Sequence, residues 1–228
     1  MTAEDFPHIT VVVAAAGKSI RFQRGDKLLA DFGGRSVFAT CLENLSGPGV
    51  DFLVATDRRE ALEKEAPPEI RDKILWAPGG ESRAESVAAA MGVLRQEGRH
   101  PLWLAVHDAA RPLASRRILQ ECWRLLREKG ADGVVPAHPL GDTIHLTDGQ
   151  GALCNTPPRH LLLAAETPQL FRGPLLMEAY RQWEAFPPQN RPQVTDDASL
   201  LRTIFPESRV LFWENPADNH KITYPHDF

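Results

Sequence analysis

Apolar runs and amphipathic stretches alternate between residues 9 and 137 of the chain. Each apolar run is short and bounded by Gly, Pro or charged residues, which is typical of buried strands. The predicted strands cover residues 9–16, 51–56, 73–78, 101–106 and 133–137. The predicted helices begin after Ser36, at residue 59, after Ser82 and after Ser115. This alternation favours an α/β fold with a parallel sheet and right-handed crossovers.

The pattern changes at residues 138–159, which are poor in apolar residues and rich in turns. Two short segments around the turn at residues 149–151 predict a β-hairpin. A two-stranded arm is only marginally stable alone, so we expect it to pack on a second subunit. The remaining pattern predicts a strand at residues 161–166, a helix near Pro174, a helix with Thr195 as N-cap and two acids behind it, and a strand at residues 210–213.

Length and composition limit the possible classes of protein. The 228 residues are 43% hydrophobic, which permits one large domain, and we expect a single domain over residues 1–228 with 138–159 as its arm. The net charge of −4 argues against a general nucleic-acid binder. No apolar run approaches the ~18 residues of a membrane span, and the first residues lack a signal peptide. Three widely spaced cysteines fit reduced thiols, so we expect a cytoplasmic protein. The cysteines are Cys41, Cys122 and Cys154.

A loop of small and basic residues follows the first predicted strand. Gly17, Lys18 and Ser19 come directly after the buried run, and Arg21 and Lys27 lie shortly beyond. Small residues let backbone N–H groups approach phosphate oxygens, and Arg and Lys neutralise their charge, so the pattern suits a polyphosphate. Neither standard phosphate loop is present, because the Walker sequence is absent and Ser19 replaces the second glycine of the dinucleotide fingerprint. An ordinary loop with solvated basic residues explains this stretch equally well.

Two further stretches place polar residues at predicted strand ends. A double glycine ending at Gly80 precedes a capping box of Ser82 and Glu85, and a helix N-terminus there offers N–H groups to an anion or a base. Asp108 and Arg111 follow the fourth strand, and ligands of open α/β sheets bind at such carboxyl ends. A capped surface helix and an Asp108–Arg111 ion pair within a turn are the structural alternatives.

Six motifs in chain order connect the sequence with one known family. They are Ala15-Ala16-Gly17 with Arg21 and Lys27, Gly79-Gly80 with Arg83 and Ser86, Val106-His-Asp-Ala-Ala-Arg-Pro112, Thr167-Pro-Gln169, Thr195-Asp-Asp-Ala-Ser199 and Asp218-Asn-His-Lys-Ile-Thr223. Each motif alone is weak, but together they are specific. Through them, nearly the whole chain resembles the 2-C-methyl-D-erythritol 4-phosphate cytidylyltransferases. The resemblance implies a Rossmann-like nucleotidyltransferase fold, with a mostly parallel twisted sheet flanked by helices and a protruding β-hairpin arm.

The resemblance also implies a reaction and its participants. CTP and methylerythritol 4-phosphate would give 4-diphosphocytidyl-methylerythritol and pyrophosphate, with Mg²⁺ as cofactor and no readable metal ligands. The family is homodimeric, and the arm of one subunit helps to build the site of the other.

Candidate site residues follow from the family's motifs. The catalytic candidates are Arg21, Lys27, Lys221 and, contributed from the arm of the partner subunit, Arg159. The nucleotide-binding candidates are Ala15, Ala16, Gly17, Lys18, Ser19, Gly80, Arg83, Ser86 and Asp108. The candidates for binding the sugar-alcohol phosphate are Arg111, Thr143, Thr167 and Thr195.

Two positions depart from the family's usual pattern. Ser19 stands where a second glycine is usual, which narrows the allowed backbone angles. Asp26-Lys27-Leu28 stands where Pro-Lys-Gln is usual. An aspartate beside Lys27 either weakens the attraction of that lysine for phosphate or faces solvent.

Three other functions are compatible with parts of the sequence. A sibling cytidylyltransferase for another polyol phosphate, such as ribitol 5-phosphate, shares the opening loop and the strand that contains Lys221, although Thr143 favours methylerythritol phosphate. A non-catalytic nucleotide-binding relative would explain Ser19 and Asp26, but Arg21 and Lys27 are intact. An NAD-binding Rossmann protein is disfavoured by the missing glycine fingerprint.

Overall fold

The computed structural model describes residues 6–19, 21–22 and 25–228. The strands are β1 Ile9–Ala14, β2 Val50–Ala55, β3 Leu75–Ala77, β4 Trp103–Asp108, β5 Gly133–Pro139, β6 Leu146–Thr147, β7 Leu153–Asn155, β8 Leu163–Ala165, β9 Gln169–Arg172 and β10 Val210–Glu214. The helices are α1 Val37–Leu45, α2 Arg59–Glu65, α3 Pro68–Arg71, α4 Arg83–Gln96, α5 Arg116–Lys129, α6 Gly173–Ala185 and α7 Asp197–Ile204. Short 3₁₀ turns lie at Arg159–Leu161 and Pro188–Asn190.

Eight strands form the main sheet in the order β10-β5-β9-β4-β1-β2-β3, and β8 also pairs with β5. β1 runs parallel to β2 and β4, β2 to β3, and β5 to β10. β9 runs antiparallel between β4 and β5. The predicted fold class, a mostly parallel sheet flanked by helices, is confirmed.

Helices cover both faces of the sheet because its central strands are apolar on both sides. Along β1, Val11 and Val13 pack into one core with α1, α2 and α5, whereas Val12 packs into a second core with α4, α6 and α7. All three valines are fully buried. The continuous apolar run at the start of the chain therefore marks the centre of a three-layer α/β/α arrangement.

The carboxyl ends of the central parallel strands meet at one edge of the sheet. Ala14 of β1 lies opposite Ala55 of β2 and Asp108 of β4, and Ala55 lies opposite Ala77 of β3. The chain continues from β1 towards β2 on one side, and β4 lies on the other side of β1. Such a change of direction opens a crevice beyond the strand ends, which is where ligands of doubly wound sheets bind.

The second half of the chain departs from the predicted elements in two places. The predicted strand over residues 161–166 is only β8, and the strand that enters the sheet between β4 and β5 is β9, whose four residues include polar Gln169 and Arg172. A strand this short shows no readable periodicity. Thr195 was also the wrong N-cap, because the side chain of Asp196 accepts the hydrogen bond from the Ser199 N–H.

The predicted hairpin is present as β6 and β7, which pair antiparallel outside the main sheet. All residues of its two strands are exposed, and Leu146 and Leu153 are 51% and 62% accessible. In the part of the chain that the structure describes, no helix combines the length and the apolar character that a membrane span requires.

Candidate functional site

Two adjoining cavities lie beyond the carboxyl ends of β1 and β4. The larger has a volume of about 440 Å³ and is lined by Ala14, Ala15, Ala16, Gly17, Lys18, Lys27, Leu28, Gly80, Glu81, Ser82, Arg83, Ser86, Asp108, Ala110 and Lys221. The smaller, of about 280 Å³, is lined by Gly17, Lys18, Ser19, Arg21, Lys27, Lys221 and Thr223. Four residues line both cavities, so the two form one continuous cleft, which we call the active cleft. All the nucleotide-binding candidates, and three of the four catalytic candidates, lie on it.

The opening loop is tied to the loop after β2. The N–H of Ala15 donates to Ala55 O at 2.9 Å, and Ala15 O accepts from Thr56 Oγ1 at 3.2 Å. The Arg58 guanidinium adds bonds from Nη2 to Ala15 O at 2.6 Å and to Gly17 O at 3.1 Å. The backbone of the loop is therefore held from its carbonyl side.

Ser19 takes the left-handed backbone conformation that its position requires. Its φ is +52°, in the region where glycine is the usual residue. An L side chain there costs about 1–2 kcal/mol. The hydroxyl offsets part of this cost, because it accepts from Lys27 N at 3.3 Å and donates to Asp26 Oδ1 at 3.5 Å. A glycine would allow this backbone conformation, but only the serine hydroxyl also bonds the two ends of the loop together.

The double glycine and the capping box shape the opposite wall of the active cleft. Ser82 and Glu85 form the predicted capping box at the start of α4. The Gly80 N–H donates to Ser86 Oγ at 3.0 Å, and Ser86 Oγ donates to Ser82 O at 2.9 Å. A Cβ on Gly80 would lie 2.5 Å from the Glu85 Cβ, so only glycine fits. The wall has a fixed backbone next to the cavity.

Asp108 is the anionic centre of the active cleft. Its Oδ1 accepts from Arg83 Nε and its Oδ2 accepts from Lys221 Nζ, each at 2.7 Å. Burial would raise the pKa of Asp108, but the cations of Arg83 and Lys221 outweigh burial and hold that pKa well below its usual range. Within the described chain the ion-pair partners of Asp108 are Arg83 and Lys221, so the predicted alternative of an Asp108–Arg111 ion pair is wrong.

Arg83 is itself held by a buried acid. Its Nη2 lies 2.8 Å from Oδ2 of Asp197, which is fully buried, and Asp197 Oδ1 accepts from the Tyr180 hydroxyl at 2.6 Å. Burial opposes the charge on Arg83, yet Asp197 and Asp108 raise its pKa. Two carboxylates from distant elements therefore fix one guanidinium in the cleft.

The smaller cavity is lined by four cationic side chains, those of Lys18, Arg21, Lys27 and Lys221. Lys27 Nζ donates to Ile222 O at 2.9 Å, and the Arg21 guanidinium lies 5.8 Å from the centre of the Tyr224 ring. Burial and then the neighbouring Lys221 cation lower the pKa of Lys27. Positive charges that disfavour one another in this way gain stability when an anion binds between them.

The segment that carries Lys221 reaches the cleft through bonds to the turn after β4. Ile222 N donates to Ala110 O at 2.8 Å, and Arg111 Nη1 donates to Asn219 O at 2.6 Å. The Asn219 amide donates to the buried Glu166 carboxylate at 2.9 Å. The prediction of a strand around Lys221 is wrong, because residues 219–223 pair with no neighbouring strand. Individual hydrogen bonds such as these hold the segment in place.

Thr167 is buried behind the cleft. Its Oγ1 accepts from the Asp108 N–H at 3.0 Å and lies 3.0 Å from His107 Nδ1. Burial lowers the pKa of His107 to about 3, so the ring is neutral at ordinary pH. The hydroxyl therefore supports the end of β4 directly beneath Asp108.

Besides Thr167, four further substrate or catalytic candidates line neither cavity within a single chain. Thr143 is exposed on the arm, and Arg159 donates to Gly141 O at 2.7 Å. Thr195 is exposed before α7. Arg111 is half-buried and points to backbone carbonyls near Asn219. Their predicted roles remain predictions.

Carboxylates that could hold a metal are scarce near the cleft. Within the described ranges, no group of three or more His, Cys, Asp or Glu side chains is arranged to hold an ion. Asp108 and Glu81 line the larger cavity singly. Mg²⁺ usually takes one or two carboxylates and completes its shell with phosphate oxygens and water. The site fits an ion that arrives with a phosphate ligand.

Several residues that shape the cleft had no predicted role there. Arg58 belonged to no motif, Asp26 had two alternatives, and Asp197 was expected only to begin a helix. One signal for Arg58 was available, because it follows a predicted strand whose carboxyl end adjoins the opening loop. No local pattern marked Tyr180 or Asp197, because the pairing depends on how α4, α6 and α7 pack.

Sequence comparisons connect the chain with one enzyme family. The family model described as "IspD: 2-C-methyl-D-erythritol 4-phosphate cytidylyltransferase" matches residues 9–228. A relative of that name from Synechococcus sp. (strain WH7803) is 33% identical over 225 residues, covering 96% of this chain and 95% of the relative. Another from Ectopseudomonas mendocina (strain ymp) is 34% identical over 225 residues, covering 95% and 91%.

Solved structures have the same fold. The 4-diphosphocytidyl-2C-methyl-D-erythritol synthase from Anaerococcus prevotii superposes with a TM-score of 0.77 at 23% identity, covering 97% of this chain and 92% of that one. The 2-C-methyl-D-erythritol 4-phosphate cytidylyltransferase from Thermus thermophilus gives a TM-score of 0.71 at 26% identity, covering 95% and 93%.

Proposed function

Because the chain belongs to the 2-C-methyl-D-erythritol 4-phosphate cytidylyltransferase family, we propose that the active cleft is the site of that reaction. The enzyme is a nucleotidyltransferase that joins CTP and 2-C-methyl-D-erythritol 4-phosphate in isoprenoid precursor synthesis, giving 4-diphosphocytidyl-2-C-methyl-D-erythritol and pyrophosphate. The relatives give no support to ribitol 5-phosphate or to a non-catalytic role. One observation carries the assignment of the site: Lys27 and Lys221, from opposite ends of the chain, line both cavities.

The reaction needs charge neutralisation more than proton transfer. A phosphate oxygen of methylerythritol phosphate attacks the α-phosphorus of CTP, a new P–O bond forms, and the bond from the α-phosphorus to the β-phosphate bridging oxygen breaks. Pyrophosphate leaves with that electron pair. The nucleophile is already an anion, so no side-chain base is required, and positioning and electrostatic stabilisation supply the catalysis.

Arg21, Lys27 and Lys221 surround the reacting phosphates in this proposal. Arg21 and Lys27 neutralise the triphosphate and stabilise the five-coordinate phosphorus. Lys221 contacts the phosphates and helps to position the incoming monoester. The pKa of Lys27, which is lowered mainly by burial, should rise again when a polyanion binds beside it.

The larger cavity holds the nucleoside part. The opening loop, residues 15–19, offers backbone N–H groups to the phosphates, and Gly80 and Ser86 lie at the cytosine with Arg83 nearby. Asp108 holds the ribose or lies near the metal. The rigid backbone around Gly80 supports selection of one base, because the hydrogen bond from the Gly80 N–H to the Ser86 side chain limits its movement.

The second substrate has candidate ligands from two chains. Arg111, Thr167 and Thr195 come from the chain that holds the nucleotide, and Thr143 and Arg159 come from the arm of the other. In the single chain the Thr167 hydroxyl accepts a hydrogen bond from the Asp108 N–H, so Thr167 also helps to position Asp108.

Mg²⁺ is the proposed cofactor. Asp108 is the side chain best placed to hold it, together with phosphate oxygens of CTP, and the bound ion would supply further charge neutralisation at the triphosphate. Asp108 is shared with Arg83 and Lys221, so its charge is already partly balanced.

We assign the chain to a single domain over residues 1–228, with residues 138–159 as a dimerisation arm. The arm exposes Leu146 and Leu153, and the following turn exposes Leu161 at 70%. Burial of these leucines against a second subunit would stabilise a hairpin that is marginal alone.

The three free cysteines fit the cytoplasmic location that we propose.

Pyrophosphate release tests the reaction. The protein is incubated with Mg²⁺ and CTP, ATP, GTP or UTP, each with methylerythritol 4-phosphate or ribitol 5-phosphate. We expect release only from CTP with methylerythritol 4-phosphate. Lys27→Ala should lower kcat by about 10²–10³-fold while CTP still binds, because Lys27 acts on charge that develops in the transition state.

Two outcomes would contradict the proposal. Release with ribitol 5-phosphate in place of methylerythritol 4-phosphate would keep the mechanism and refute the substrate. No release with either polyol phosphate, from a folded protein that binds CTP, would refute the enzymatic function.

A further inference from the structure

We propose that Arg58 and Asp26 form a positioning pair that closes the base of the opening loop and sets the place of Lys27. This inference rests on the proposed function of the active cleft and adds residues to it. Neither side chain lines the cavities. The pair is therefore expected to act through the loop and through Lys27.

The guanidinium of Arg58 joins the two ends of the loop. Its Nη2 donates to the carbonyls of Ala15 and Gly17, at one end, at 2.6 and 3.1 Å. Its Nη1 donates to Oδ2 of Asp26, at the other end. The Arg58 and Asp26 side chains are only 28% and 16% exposed. A planar guanidinium suits this geometry, because its donors point in fixed directions toward several acceptors at once.

Asp26 connects Arg58 with the backbone around Lys27 through hydrogen bonds. Its Oδ1 accepts from Leu28 N at 3.0 Å and from Ser19 Oγ at 3.5 Å, and the same hydroxyl accepts from Lys27 N at 3.3 Å. The backbone on both sides of Lys27 is thus bonded to groups that Arg58 holds. A catalytic lysine misplaced by about 1 Å can lose 10²-fold in rate.

The carbonyl contacts also orient the donors of the loop. In a trans peptide the N–H points opposite to the preceding carbonyl. Arg58 donates hydrogen bonds to the carbonyls of Ala15 and Gly17, so the N–H groups of the following residues, Ala16 and Lys18, point away from Arg58. Among the described residues, neither N–H has a backbone acceptor, and both residues line the larger cavity.

Charge balance is the second effect of the pair. Asp26 is adjacent in sequence to Lys27, and an unpaired carboxylate there would compete with substrate phosphate for the lysine. The Arg58 cation neutralises Asp26 at close range. Of the two alternatives that the sequence left open for Asp26, exposure to solvent is wrong, and the carboxylate is paired with Arg58.

The neighbouring Arg59 provides a matched control. Its guanidinium lies over the Trp76 ring at 5.6 Å and 3.5 Å from Glu63, away from the loop. Arg58→Ala, Arg58→Lys, Asp26→Asn and the double variant are compared with Arg59→Ala. The readouts are kcat, the KM for each substrate, CTP affinity by calorimetry, urea unfolding, and amide hydrogen exchange of peptides that cover residues 15–28.

We expect Arg58→Ala to lower kcat about 100-fold, with faster exchange confined to residues 15–28 and the rest of the sheet unchanged. Arg58→Lys should recover part of kcat, since it keeps the charge but not the multiple contacts. The double variant should lose no more than Arg58→Ala alone, because paired residues are not additive. Arg59→Ala should match the wild type in kcat and in loop exchange.

Unchanged loop exchange in Arg58→Ala, or a kcat equal to that of Arg59→Ala, would overturn the proposal. Faster exchange throughout the sheet with a matching loss of unfolding free energy would also overturn it, by showing a general structural role. If the wild type releases no pyrophosphate, the proposed function fails. The proposed pair is then tested by loop exchange and by CTP affinity, which should fall at least about tenfold in Arg58→Ala and stay unchanged in Arg59→Ala.

Discussion

His107 lies one residue before the acid at the centre of the cleft, and its ring is completely buried. Its Nδ1 faces Thr167 Oγ1 at 3.0 Å, while its Nε2 has no hydrogen-bond partner within the described chain. Burial lowers the pKa of the ring to about 3. At low pH the unfolded chain can take up a proton at this residue that the folded chain does not bind, and this difference destabilises the fold.

This gives a pH dependence with a definite sign. Between an unfolded pKa near 6.5 and the folded value of about 3, the unfolded state binds one more proton at His107. The free energy of unfolding should therefore fall as pH falls below 6.5, by about 1.4 kcal/mol per pH unit from this residue. Urea unfolding of the wild type and of His107→Gln from pH 7.5 to 4.5 measures the difference.

The comparison removes the other titrating groups, because they are the same in both proteins. These include His220, whose pKa is raised by its bonds to Asp218 and which acts in the opposite direction. Parallel stability curves for the wild type and His107→Gln would contradict the prediction. A variant that is less stable at pH 7.5 but loses less on acidification would support it.

Helix α7 shows how an element positions the cleft from a distance. Asp196 caps its N-terminus and also accepts from Gln169 Nε2 of β9 at 2.8 Å. The next residue, Asp197, holds Arg83 at the wall of the cleft. The start of one short helix therefore connects the antiparallel strand with a nucleotide-binding candidate.

The cap gives a prediction that separates two neighbouring residues. Asp196→Ala should lower the free energy of unfolding by about 1–2 kcal/mol, since it removes the N-cap acceptor. Thr195→Ala should change it by less than about 0.5 kcal/mol, because the threonine is exposed. Urea unfolding at one pH compares both variants with the wild type. The reverse order of losses would mean that Thr195 is the cap.

The arm determines whether the whole site lies in one chain or in two. Arg159 and Thr143 lie off both cavities in the single chain, whereas Arg21, Lys27 and Lys221 are together. If the arm completes the site of a second subunit, Arg159 and Lys27 act in the same reaction from different chains.

Subunit mixing tests this arrangement. Lys27→Ala and Arg159→Ala dimers should each be strongly impaired. After they are mixed and allowed to exchange, half of the dimers contain both variants, and each of these has one intact site. Activity should then return to about one quarter of the wild-type value. No recovery, with exchange confirmed by mass spectrometry of tagged subunits, would place Arg159 in the site of its own chain or outside it.

Much of the fold could be predicted from the sequence, because burial patterns and helix caps depend on residues that are close together in the chain. The run at residues 9–16 predicted the central strand, Ser82 and Glu85 predicted the start of α4, and the polar stretch at residues 138–159 predicted the β6–β7 hairpin. The family motifs then predicted the nucleotide-binding residues, and these candidates do line the two cavities of the active cleft.

Contacts between distant parts of the chain needed the folded structure. A charged residue next to a turn looks the same in a sequence whether it faces water or a partner, so Arg58 with Asp26 and Arg83 with Asp197 could not be paired in advance. The place of β9 between β4 and β5 depends on sheet order, which four residues do not encode locally. Local periodicity specifies the elements, and long-range packing specifies which side chains share the cleft.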